Sequence, residues 1–528
     1  MDPHKGSHNT KLSDINLNEV RYRLLRAISH SSQQHNQLLS IGFYILHATV
    51  VKEGCRVMSL LTFYCAFTLC VHLSLQSIVM MAQGKMRGLE PGIPPTWTGI
   101  RESRDPYCTP RSEVEDCLQL DVHLPKVGKS LPILVWVKGS SGDYHPGKLV
   151  QEGIIVVIVR HRLGAVGFMC SQEDQIPGNA GVKDLVLALR WVRDNIVAFK
   201  GNPHRVVVAG QSFGAAMVET LTLSSMARGL YHGIILQSGT VLAPWAFNYD
   251  ANDKTDYMKI TMNGTQSLLK SAIPDVVSNS EDLDVPYYPF GICKEKAFKN
   301  EETLLSEAPF NSFIKGKFTS VPTIIGYNSN EAYVFVSMLK QIKAVKKMTR
   351  DVMFLLPMEL QLTNEREMYP LSKQLMDAYF KDNMSISSLL EYHRDVYFMC
   401  HIHRSAIFHA TTGPVYYYQF SHSGKVGVEI ESGVEKTGAA HSDELGYLFP
   451  NDVVDFDGDD ATVHQHLTKL WTNFVKNLEH NGYQWSPLDP YEPRLLDIQT
   501  EPRMIDFPHH RHAEMWDEIY EKYFFRRH

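Results

Sequence analysis

Residues 205–217 read RVVVAGQSFGAAM, and this stretch decides the fold. Val206, Val207, Val208 and Ala209 form an apolar, mostly β-branched run, the pattern of a buried strand, and the run breaks at Gly210. A small-residue helix restarts after it. Gly210-Gln211-Ser212-Phe213-Gly214 therefore matches G-x-S-x-G in the context that the motif demands, a strand before and a helix after. The two glycines have a mechanical role, because positions two before and two after the serine pass close to neighbouring backbone in a sharp turn. Gln211 and Phe213 carry no such limit. Ser212 is the candidate nucleophile, and the competing reading is a serine in a tight turn without chemistry.

Working outward, short β-rich runs recur: LPILVWV at 131–137, IIVVIV at 154–159, GIILQSG at 233–239, VPTIIGY at 321–327 and VYYYQF at 415–420. Between several of them lie stretches of helical period, such as 182–199, where Leu185, Leu189, Val192 and Ile196 fall on one face. Alternation of this kind predicts an α/β fold with a large, mostly parallel central sheet flanked by helices, because buried parallel strands read as continuous apolar runs. In such folds the chemistry sits at the carboxyl ends of the strands.

A serine hydroxyl is a weak nucleophile at neutral pH and needs a histidine base that is itself oriented by a carboxylate. Two loops after apolar strands supply candidates. VPTIIGYNSNEAYVF places Glu331 just beyond a strand, and GAAHSDELGYLF places His441 in a small-residue loop after VYYYQF. The chain has 24 histidines, so the loop context is what singles out His441.

Composition removes other functions. The chain has 528 residues, 44% hydrophobic and 21% charged, with a net charge of -6, which leaves no basic footprint for nucleic acid. Its eight cysteines are too few and too scattered for a small disulfide scaffold, and no CxxC pair or HExxH points to a metal, so no metal or other cofactor is expected. Cys108 and Cys117 are spaced to close a short loop. Residues 57–81, VMSLLTFYCAFTLCVHLSLQSIVMM, are the strongest apolar segment, preceded by Lys52 and Arg56. Either translation starts at Met58 and the segment is a signal peptide, or it stays as a membrane anchor with residues 1–56 on the cytoplasmic side; a buried core helix is the third reading. Entry into the secretory route follows from the first two, with the protein secreted or on the extracellular face of the membrane. The sequons at Asn263 and Asn383 suit that compartment as glycosylation sites. No linker, repeat or low-complexity tract divides the remainder, so 82–528 is expected to be one domain after an N-terminal extension, 1–56, of uncertain status.

From Gly84 to the C-terminus the chain resembles the type-B carboxylesterase and cholinesterase family. The resemblance rests on ordered blocks: GKMRGL, EDCLQLDVHLP, LPILVWV, RLGAVGF, DQIPGNAGVKDLVLALRWVRDNIVAF, the GQSFG turn, LYHGIILQSGTVLAPWAF, VPTIIGYNSNEA, AAHSDELGYLF and LWTNFVKN. It implies an α/β-hydrolase fold, with Ser212 as nucleophile, Glu331 as triad acid and His441 as general base acting on a small-molecule ester. It also implies a disulfide between Cys108 and Cys117, and a place near the triad for Ser238.

The chain departs from the family pattern at the oxyanion loop. One donor to the oxyanion is the backbone N–H of Phe213; the others come, in the family, from a glycine-rich loop after the LVWV strand. Here that place reads VWVKGSSGDYHPGKLV, which is either a short deletion or an alignment that puts Ser140 and Ser141 in the glycine positions after Gly139. Gly139 and Ser140 are the candidate donors. The block between GKMRGL and TWTGIR is also short, Phe213 replaces the family's alanine, and Gln211 replaces its glutamate. The phenylalanine ring predicts a narrowed acyl side and a preference for short acyl groups. A second reading, from a different class, is a catalytically weak or silent adhesion protein of the neuroligin type on the same fold.

Overall fold

A computed structural model of the protein describes residues 78–81, 84–87, 96–97, 118–139, 144–171, 176–261, 290–299, 302–336, 352–360, 362–381, 384–427, 436–450, 454, 456–479 and 484–524. Twelve strands run in chain order: β1 (Ile78–Met81), β2 (Gly84–Arg87), β3 (Thr96–Trp97), β4 (Leu120–His123), β5 (Leu131–Val137), β6 (Ile155–Val159), β7 (Gly201–Gln211), β8 (Gly233–Gln237), β9 (Thr323–Asn328), β10 (Val415–Phe420), β11 (Arg494–Ile498) and β12 (Arg503–Asp506). β1 and β2 form an antiparallel pair, so the last four residues of the apolar segment 57–81 lie in a strand. Residues 57–77 lie outside the described set, and no described helix is long and apolar enough to cross a membrane.

The other ten strands form one sheet in the order β12-β11-β10-β9-β8-β7-β5-β6-β4-β3. From β11 to β6 all neighbours are parallel; β12, β4 and β3 pair antiparallel at the two edges. All six apolar runs read from the sequence are strands of the parallel block. Their side chains alternate between two cores, as strand geometry requires. In β5, Ile133, Val135 and Val137 face one cluster, while Leu134 and Trp136 face the other.

The first core is covered by the helices Ala180–Asn195, Phe213–Leu223, Cys400–Ala410 and His510–Tyr523, and the second by Asp443–Leu448 and Gly458–Asn477. Leu185, Leu189, Val192 and Ile196 are each fully buried, which is the face that their helical spacing predicts. Each such side chain contributes about 1.5–3 kcal/mol relative to exposure.

Register aligns the carboxyl ends of the central strands. Val137 pairs with Gly210, Gln211 with Gln237, and Gln237 with Gly326. The loops after β5, β7, β8 and β9 therefore open side by side, along one edge of the sheet.

A disulfide joins Cys170 to Cys293 across 123 residues. Asn179 holds the second cysteine from both sides, its Nδ2 donating to the Cys293 carbonyl at 2.8 Å and its Oδ1 accepting from the Cys293 N–H at 2.9 Å. The bridge fastens the start of the Ala180–Asn195 helix region to a loop remote in sequence. Cys108 and Cys117, the pair that the family resemblance implies, lie outside the described residues.

Candidate active site

The nucleophile turn sits where β7 ends. Ser212 has φ 57° and ψ -128°, a strained backbone for a non-glycine residue, and the Phe213–Leu223 helix begins directly after it. Both ends of the serine are fixed: its N–H donates to the Gln237 carbonyl at 2.8 Å, and its carbonyl accepts from Ala215 N at 2.9 Å. A Cβ on Gly210 would stand 2.5 Å from the Gly214 carbonyl, so the turn closes only on glycine there. The mechanical demand read from the motif is met.

Glu331 opens the 3-10 turn Glu331–Phe335 after β9 and is fully buried. Its Oε1 accepts from the Asn328 N–H at 2.7 Å, and its Oε2 lies 2.5 Å from His441 Nδ1. Two ordered segments meet to make that contact, since Asn330 and Ala440 form a parallel bridge and Asn330 N donates to the Ala439 carbonyl at 2.9 Å. The His441 ring also packs 5.0 Å from the Phe398 ring. Burial works to lower the His441 pKa, but the Glu331 carboxylate, with Glu444 and Asp443 adding to it, outweighs burial and holds the imidazole above its ordinary 6.5.

Residues 110 apart in sequence are thus joined into an imidazole–carboxylate pair. Nδ1–H points at the carboxylate, which leaves Nε2 as the basic nitrogen. That nitrogen meets the side chain of Gln211, whose Nε2 is 3.2 Å away. The same amide donates to Ser442 Oγ at 2.8 Å. Among the described residues Ser212 Oγ has no hydrogen-bond partner.

A second carboxylate lies behind the first. Glu444 is fully buried, accepts from Gln237 Nε2 at 3.1 Å and Asn328 Nδ2 at 2.6 Å, and Gln237 is itself held by Trp471 Nε1 at 2.8 Å. Burial, then the nearby Glu331 charge, push the Glu444 carboxyl up to about 7. Sequence reasoning missed this layer: Gln237, Asn328 and Glu444 are polar residues at strand ends and in a helix turn, and only their convergence gives them a shared role. Ser238, placed near the triad by resemblance, sits next to this layer at φ 53° with its hydroxyl buried and without a partner among the described residues.

At the oxyanion side, Phe213 is the first residue of its helix, and its ring lies edge-on to Phe168 at 4.9 Å. Gly139 presses against the nucleophile turn, since a Cβ there would fall 2.0 Å from the Gln211 carbonyl and 2.9 Å from Gly214 N. His161 Nε2 pairs with the Lys138 carbonyl at 3.0 Å and holds this strand end. Ser140 lies outside the described residues, as do Asn263 and Asn383. The described part of the loop thus packs against the Ser212 turn.

A strained serine at the strand–helix turn of a parallel sheet, with a histidine–glutamate pair beside it, is the arrangement of the α/β-hydrolases. The chain belongs to the carboxylesterase family, whose model matches residues 94–516. Similar proteins include a pyrethroid hydrolase of Rattus norvegicus, 29% identical over 79% of this chain and 80% of its own length. A cocaine esterase of Homo sapiens is 27% identical over 79% of this chain and 82% of its own. Among solved structures, juvenile hormone esterase from Manduca sexta superposes with a TM-score of 0.72 at 24% identity, covering 84% of this chain and 99% of that one. The protein is a carboxylesterase of the α/β-hydrolase fold, and its substrates are small-molecule esters.

Proposed function

We propose that the protein hydrolyses carboxylic esters through an acyl-enzyme on Ser212, with His441 as general base and Glu331 as the acid that orients it. The observation that carries this reading is the 2.5 Å contact between Glu331 Oε2 and His441 Nδ1 beside the strained serine. His441 Nε2 takes the Ser212 proton as Oγ attacks the ester carbonyl, and the carbonyl oxygen becomes an oxyanion facing the Phe213 N–H. Gly139 and Ser140, which follow β5 in sequence, supply the remaining donors from a loop shorter than is usual in the family. Collapse of the tetrahedral adduct expels the alcohol, protonated by His441. Water, deprotonated by the same base, then attacks the acyl-enzyme, and its collapse releases the carboxylic acid and restores Ser212.

The Phe213 ring, braced on Phe168, supports a preference for short acyl chains. Residues 57–81 serve as signal peptide or anchor, placing the domain 82–528 on the secretory side, where Asn263 and Asn383 carry glycans. A fluorophosphonate probe on the purified protein tests the core of the reading. Labelling at Ser212 that disappears in Ser212→Ala supports it; absence of labelling, with no hydrolysis of a simple aryl ester, leaves the silent adhesion-type reading in its place.

A further inference from the structure

The imidazole Nε2 of a neutral histidine has one in-plane lone pair, and it accepts one good hydrogen bond at a time. In this protein that lone pair is met by a side chain other than the nucleophile. Gln211 Nε2 lies 3.2 Å from His441 Nε2, and its second hydrogen goes to Ser442 Oγ at 2.8 Å. Gln211 is fully buried, and its Oε1 has no partner among the described residues. The reverse amide orientation would set Oε1 against the lone pair of the neutral imidazole, two acceptors in contact, so a neutral base selects the donor-inward orientation.

We propose that Gln211 is a positioning residue that caps the base: its amide occupies His441 Nε2 in the free enzyme, and Ser212 gains its base only when that hydrogen bond is released. This inference rests on the catalytic roles proposed above for Ser212 and His441. The cap competes with the serine hydroxyl for one lone pair, and it is anchored at its other hydrogen by Ser442, whose backbone is held at φ 72° in the His441 loop. Bound substrate shifts the competition, because a carbonyl seated against the oxyanion donors brings Ser212 Oγ into line with Nε2.

The groups facing His441 are the Glu331 carboxylate from the loop after β9, Asp443 and Glu444 from its own loop and helix, the neutral Gln211 amide from the end of β7 and the Phe398 ring. Lys436 is paired with Asp443 at 2.8 Å. A carboxylate at position 211 would therefore add a fourth acidic side chain around the imidazole, directly at Nε2.

Two variants test the cap in the full-length protein. Gln211→Met keeps the length of the side chain and removes both donors; it should raise the second-order rate of Ser212 labelling by a fluorophosphonate about two- to tenfold, the size of one released hydrogen bond. Gln211→Glu should hold the proton on Nε2 and move the acidic limb of the kcat/KM profile upward by about one pH unit. Thermal melts establish that each variant is folded, and the Glu variant decides the matter where the Met variant does not fold. Wild-type labelling with an unchanged labelling rate in Gln211→Met, or an unmoved limb in Gln211→Glu, overturns the cap and leaves the ester-hydrolase reading standing. No labelling of the wild type at all overturns that reading itself.

Discussion

Among the described residues, serine, histidine and glutamate come together in two places, around Glu219 and around Glu331, and the two differ in how the imidazole is held. Ser405 and His409 lie on the helix Cys400–Ala410 and meet Glu219 of the helix Phe213–Leu223. Ser405 Oγ donates to Glu219 Oε1, and His409 Nε2 contacts the same oxygen at 3.2 Å. The other oxygen accepts from Thr240 Oγ1 at 2.5 Å and Val241 N at 2.7 Å. Here the serine proton is given to the acid, so no base receives it, and Ser405 and Glu219 are wholly buried. At the other site the Glu331 carboxylate holds Nδ1 of His441, Nε2 meets the Gln211 amide, and 12% of the histidine side chain is exposed. Residue types alone do not make a catalytic group. The two clusters differ in which atom of the imidazole the carboxylate holds: Nδ1 of His441 in one, Nε2 of His409 in the other.

The strongest way to break this contrast is a pair of serine substitutions. Ser212→Ala should lower ester hydrolysis by about 10⁴-fold or more. Ser405→Ala should leave kcat/KM within about threefold while lowering stability by roughly 1–3 kcal/mol, because a buried carboxylate loses a donor. Steady-state kinetics beside urea denaturation reads both; comparable activity losses in the two variants would erase the distinction.

The acids divide in the same way. Glu331→Gln should cost about 10³- to 10⁴-fold in kcat, since the imidazole loses both its tautomer and its counter-charge. In the wild type kcat/KM should rise with pH through a midpoint above 6.5, because the neutral base is the active form and Glu331 favours the charged one. The residual activity of Glu331→Gln should titrate at a lower pH. A limb that stays in place would remove Glu331 from the assignment.

A smaller effect is expected at the oxyanion side. The Cβ of Gly139→Ala, 2.0 Å from the Gln211 carbonyl, must displace the end of β5 from the nucleophile turn. Loss of one donor costs about a hundredfold to a thousandfold in kcat, with KM little changed. An effect on KM alone would place Gly139 in binding rather than in transition-state stabilisation.

The smallest effect concerns Glu444. Its folded pKa of about 7 lies above the ordinary carboxyl value of 4.5, so the folded state binds the proton more tightly. The stabilisation is fully present below about pH 4.5 and is lost as pH rises through about 7. Glu444→Gln should flatten that part of the stability–pH curve, measured by denaturant unfolding at a series of pH values. A wild-type curve with no fall across this window would contradict the assigned burial and repulsion.

Much of the fold is legible in the sequence alone. The six apolar runs are all parallel strands, because strands buried on both faces leave nothing but apolar residues in the sequence. Ser212 stood out because the turn around it restricts its glycines, Glu331 because it lies just past the end of β9, and His441 because it sits in a small-residue loop later in the chain than β10. β11 and β12, Arg494–Ile498 and Arg503–Asp506, carry charged residues at the sheet edge and gave a weaker apolar signal. The Cys170–Cys293 bridge, spanning 123 residues, has no local signature at all.

The sequence by itself determined the alternation of strand and helix and the position of the strand–helix turn at Ser212, and it singled out Glu331 and His441 as candidates, since each of these follows from patterns within a few residues of chain. Only the tertiary structure decided which nitrogen of His441 the carboxylate holds, what meets the other one, and how this cluster differs from the one around Glu219. Those outcomes depend on how loops after different strands converge, and hydrogen bonds between residues 110 or 230 positions apart are fixed by sheet register and packing, which no local pattern encodes.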